Sequence, residues 1–102
     1  MVYITHRIVA SVINGLLSPF DTHMVEKRIP RNHPIEFAHE LLRYDHTRDP
    51  LHQFSAAFGK WIDTEFQGQI QQTLPKVKTE NLCGDRISNQ QWVKTTPGMP
   101  IT

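Results

Sequence analysis

A single cysteine, Cys83, is all the thiol chemistry this chain carries. One cysteine excludes an intramolecular disulfide and any cysteine-rich zinc site. It fits a reducing compartment without requiring one. An excess of charge of one sign is also missing. Eleven Lys and Arg stand against ten Asp and Glu, and the halves are balanced too: six basic and six acidic residues up to Pro50, five and four after it. A protein that holds nucleic acid mainly through phosphates carries a basic excess or stripe, which this composition lacks. Long apolar runs are absent as well. The richest stretch, Ile8 to Leu17, is broken by Ser11, Asn14 and Gly15 and falls far short of the ~20 residues a membrane span needs. No small-x-small cleavage site follows it, so the expectation is a cytoplasmic protein with no membrane association. There is no glycine-rich phosphate loop and no Gly-x-Ser-x-Gly turn, the local signatures of nucleotide and hydrolase sites.

What the chain does have is helix punctuation. With 102 residues it has room for one modest core. Ser18-Pro19, His33-Pro34 and Asp49-Pro50 each set a proline between a polar residue and an apolar-periodic run. Proline suits the first helical position because its φ is already helical and its missing N–H would have no partner there. These pairs predict three helix starts. The second segment runs from Pro19 to about Arg28, closed by Ile29-Pro30, and the third from Pro34 to about Asp45. Ahead of them, Ile4, Ile8, Val12 and Leu16 recur every fourth residue and predict a helix over about Thr5 to Leu17. The strongest periodicity is Phe54, Phe58, Ile62, Phe66 and Ile70, an unbroken i+4 ladder that predicts one long amphipathic helix from about Pro50 to Leu74. The fold expected is therefore mainly α: a small bundle of short helices plus that long helix. Residues 1–75 form the helical domain and 76–102 an extended or partly ordered C-terminal arm, with Thr95 to Pro100 as a flexible tail.

Candidate chemistry is sparse. His39-Glu40 is followed by a second histidine, His46, seven residues on. A helical zinc site needs a spacing of four, so no metal and no cofactor are expected. Cys83 stands in Asn-Leu-Cys-Gly-Asp-Arg with no neighbouring base to activate it. Lys27, Arg28 and Arg31 are the one local basic cluster, a place where cations also stabilise a helix end. Four aromatics within thirteen residues, Phe54, Phe58, Trp61 and Phe66, are first of all core candidates. With so few helices to cover them, part of that stripe would serve as a docking face or a homodimer seam. Trp92, isolated among polar residues, is a further anchor.

These features point away from catalysis and toward a non-enzymatic protein-protein interaction module. Its partner-binding residues would be Phe54, Phe58, Trp61, Phe66 and Trp92. Small size and balanced charge are common in phage- or plasmid-encoded modulators that bind a host enzyme, such as one acting on nucleic acid. Two alternatives stand beside this reading: a small nucleic-acid-binding regulator using Lys27, Arg28 and Arg31, and a small metal- or cysteine-dependent enzyme.

Overall fold

The computed structural model describes residues 1–102. The chain is an α/β fold of four helices and a three-stranded antiparallel sheet, which corrects the expectation of a mainly α protein with an extended arm. Helix α1 spans His6–Asn14, capped by the Thr5 hydroxyl, which accepts from the Ile8 N–H. Its buried face is Val9, Ala10, Val12 and Ile13, continued by Leu16. Strand β1 is Phe20–Asp21 and helix α2 is Thr22–Asn32. The predicted second helix start thus lies at Asp21, not Ser18. The Asp21 carboxylate accepts the Met24 N–H at 2.9 Å, whereas the Ser18 hydroxyl accepts the Lys94 N–H of the sheet. Pro30 lies inside α2 near its end. It removes a single backbone hydrogen bond there, and the His33 N–H still donates to the Ile29 carbonyl.

Helix α3 covers Pro34–Leu42 and α4 covers Pro50–Glu65, its first turn capped by Asp49. The long helix predicted to Leu74 therefore ends at Glu65, before the last two members of its ladder. Phe54, Phe58 and Ile62 lie on α4, but Phe66 is its cap and Ile70 opens a strand. Gly68 makes the reversal, with φ +89, a region that costs glycine nothing and other residues strain. Ile70 still reaches the same core, 5% exposed. Its spacing from Phe66 mimics one more helical turn while the backbone has already turned back.

Strand β2 runs Ile70–Glu80 and β3 Arg86–Lys94, in the order β1-β3-β2. The C-terminal arm is thus a hairpin. Its turn is stapled by Asn81, whose Oδ1 accepts from the N–H groups of Cys83 and Asp85, with Gly84 at φ +84. Beyond the expected flexible tail, the end of the chain is pinned to α1. Asn14 holds both backbone groups of Ile101, and Ile101 is buried.

Sixteen apolar residues form the core, among them all of Phe20, Phe54, Phe58, Phe66 and Trp92. Each large side chain so buried contributes roughly 1.5–3 kcal/mol. Two glutamates on the helices, Glu26 and Glu40, share that depth. Glu40 is fully buried and its Oε1 accepts three successive N–H groups, from Val2, Tyr3 and Ile4, at 2.7–2.9 Å. Burial by itself would raise its pKa. Those N–H donors and the Arg43 guanidinium outweigh burial and hold it below the ordinary carboxylate value.

Candidate functional site

The residues singled out by sequence are distributed in an unexpected way. Phe54, Phe58 and Phe66 have no exposure, and Trp92 is 3% exposed with its indole N–H donating to the Thr22 hydroxyl at 3.0 Å. These four are core in this structure and present no docking face. Trp61 is half-buried, packed edge-on to Phe66 and tilted against Phe58. The aromatic stripe is covered partly by Phe37 and Tyr44 around α3, both meeting Phe54 edge-on, and by His6 of α1, stacked on Phe66.

The basic cluster is brought together. Met24, Lys27, Arg28 and Arg31 fall at i, i+3, i+4 and i+7, one face of α2. With Leu16 from the end of α1 they line a groove of about 330 Å³. Leu16 and Met24 form its apolar part, and Met24 remains 37% exposed. The ion pairs of the protein use His6, Arg43, His46 and His52. Lys27, Arg28 and Arg31 therefore face solvent with no acidic partner.

A second concavity was not legible in the sequence, because its residues come from three elements. Thr22 and His23 of α2, His52 to Asp63 of α4, and Asn81, Ile87 and Asn89 of the hairpin line a cleft of about 430 Å³. The wall is a continuous polar network. The Asn89 amide accepts the His23 N–H and donates to the Val77 carbonyl and Thr79 hydroxyl. The Thr79 hydroxyl in turn donates to Asp21. Behind this wall Glu26, 1% exposed, accepts from the Ser55 hydroxyl and the Leu82 N–H. Burial dominates there and pushes the Glu26 carboxyl above its ordinary pKa, against the pull of those donors. At the rim His52 bridges Asp49 at 2.6 Å and Asp85 at 3.0 Å. The bond to Asp85, then that to Asp49, raises the imidazole pKa.

The histidines and Cys83 do not converge. His39 stacks on Tyr3, His46 lies beside Asp45, and His52 is engaged by its two carboxylates. No three His, Cys, Asp or Glu side chains come together in a metal-holding group. Burial, reinforced by the nearby carboxylates of Asp49, Asp85 and Glu26, pushes the Cys83 thiol up, the reverse of what an activated nucleophile needs.

The free edge of β2 carries Pro75, Lys76 and Lys78 and a register shift between Thr73 and Val77. Proline, lysine and an irregularity are the devices that discourage strand addition. No helix is long and apolar enough to cross a membrane. Comparison with family models, with curated proteins and with solved structures finds no match to this chain.

Proposed function

We propose that the chain is a non-enzymatic protein-protein interaction module that docks through the groove between α1 and α2. The observation that carries this reading is the set of three unpaired cations, Lys27, Arg28 and Arg31, around an apolar floor of Leu16 and Met24. Such a surface fits an acidic partner segment that also carries an apolar anchor. The cations steer and orient the encounter, and the apolar floor supplies the desolvated contact. Each exposed ion pair formed is worth only about 0.2–1 kcal/mol, so the apolar contact must hold the complex.

Nucleic acid is the second reading, since the same three cations could meet phosphates. An overall charge of +1 and an apolar floor favour protein. The test is capture from bacterial lysate by the tagged chain, with and without nuclease, beside the variant Lys27→Glu/Arg28→Glu/Arg31→Glu. A stoichiometric protein that survives nuclease and is lost with the triple variant supports docking at the groove. Capture that vanishes with nuclease transfers the assignment to nucleic acid. Capture indifferent to the triple variant overturns the groove.

A further inference from the structure

The cleft between α2, α4 and the hairpin holds two buried polar groups that the protein satisfies only in part. His23 is 5% exposed, and its Nδ1 lies 2.9 Å from the Thr79 carbonyl oxygen. A carbonyl can only accept, and the Thr79 hydroxyl, 3.0 Å from the same nitrogen, gives its proton to Asp21, so Nδ1 carries the proton and, in the neutral ring, Nε2 is left as a bare acceptor. Asn81 is 3% exposed. Its Oδ1 is held by two backbone N–H groups, which fixes the amide and leaves the Nδ2 hydrogens without a protein acceptor. No side-chain polar atom of the protein is both sealed from solvent and unpartnered. Nε2 and Nδ2 therefore reach open space, and both residues line this cleft. His23 is tied to Thr79, two residues before Asn81, so acceptor and donor belong to the same wall. Gly59 lines the same cleft, and a Cβ added there would meet nothing within 4 Å. Lys60 and Asp63 oppose each other in charge among the lining residues, which favours an occupant without net charge.

We propose that this cleft binds a planar amide group, whose carbonyl accepts from Asn81 Nδ2 and whose N–H donates to His23 Nε2. A volume of about 430 Å³ lies within the usual range for small-molecule sites. Two sources share this chemistry: the lactam of a free pyrimidine nucleoside and the carboxamide of a glutamine side chain. An analogue lacking the matching group displaces solvent from these two atoms without replacing its hydrogen bond, so it binds more weakly. The inference shares no residue with the α1–α2 groove and stands or falls separately from it.

The experiment is a ¹H–¹⁵N NMR titration of the full chain with uridine, with N-acetylglutamine N-methylamide, and with 3-methyluridine, in which the N–H is blocked. Shifts confined to amides around His23, Gly59 and Asn81 are expected with at least one of the first two. The 3-methyl analogue should bind at least tenfold more weakly than uridine if uridine is taken. Uridine alone identifies a free lactam as the source; the glutamine derivative alone identifies a partner's side chain. Asn81→Asp keeps the turn-holding oxygen but removes the donor, and Gly59→Leu fills the open wall without touching the polar groups; each should abolish the shifts. The proposal is overturned if neither probe moves those amides, if 3-methyluridine binds as well as uridine, or if both variants bind like the wild type.

Discussion

The helical layer and the hairpin are held by different forces. Of the sixteen core residues, thirteen lie between Ile4 and Phe66, whereas the hairpin from Ile70 to Lys94 supplies only Ile70 and Trp92. The hairpin is tied to α2 and α4 by directional hydrogen bonds: the Asn89 amide oxygen, the Thr79 carbonyl and the Asp85 carboxylate accept from His23 and His52, and the Leu82 N–H donates to Glu26. Apolar burial is non-directional and tolerates repacking. A polar network is directional, and each missing member leaves a buried partner unsatisfied. The candidate amide cleft lies on the directional side of that divide, where polar atoms stand at fixed positions.

This contrast can be tested one substitution at a time. Phe58→Ala empties a fully buried position and should cost about 3–5 kcal/mol. Since about 1 kcal/mol moves the midpoint of a domain this size by roughly 4–8 °C, thermal and urea melts should show a drop well above 10 °C. Asn89→Ala strikes the polar network and should cost about 1–3 kcal/mol. Hydrogen exchange should show the loss concentrated in the amides of Val77 to Lys94, with α1 and α4 protected. Uniform loss across the molecule would mean that hairpin and helical layer unfold as one unit, and the proposed division would fail.

The smallest effect concerns the outermost tie. The imidazole of His52 has a folded pKa raised above its ordinary 6.5 by Asp85 and Asp49. Its contribution is fully present below the unfolded value and is lost as pH rises through the folded one. As pH rises from below the ordinary imidazole value through the raised folded one, the wild type should therefore lose more stability than His52→Gln. His6, raised chiefly by the Thr102 carbonyl, adds a parallel slope in both proteins, so the difference between their Tm–pH curves isolates His52. Superimposable curves would show that the tie to Asp85 contributes nothing.

The starts of α3 and α4 were legible because proline at the first helical position acts locally through φ, and at α4 the Asp49 carboxylate adds a capping bond to the His52 N–H. Helix α1 was legible from its periodicity. Helix α2 was read three residues early, since nothing local distinguishes Ser18 from Asp21 as a cap. The sheet partner Trp92, paired in register with Phe20, makes the choice. The hairpin left faint local traces: Val77 and Thr79 alternating with polar residues, and Asn81 to Asp85 carrying turn residues around Gly84. Ile70 continues the i+4 ladder of α4, so local periodicity assigns the opening of β2 to the helix.

The three cations of the groove were found because α2 carries them within five positions. The amide cleft was invisible, since His23, Gly59 and Asn81 are far apart in the chain and none belongs to a spaced motif. Sequence by itself determined the helix starts at α1, α3 and α4 and the apolar ladder, all properties of neighbours within a turn or two. Only the tertiary structure decided that the ladder ends in a strand, that its aromatics are core, and which polar atoms face one another. Strand pairing and burial depend on residues far apart in sequence, which local propensity does not register.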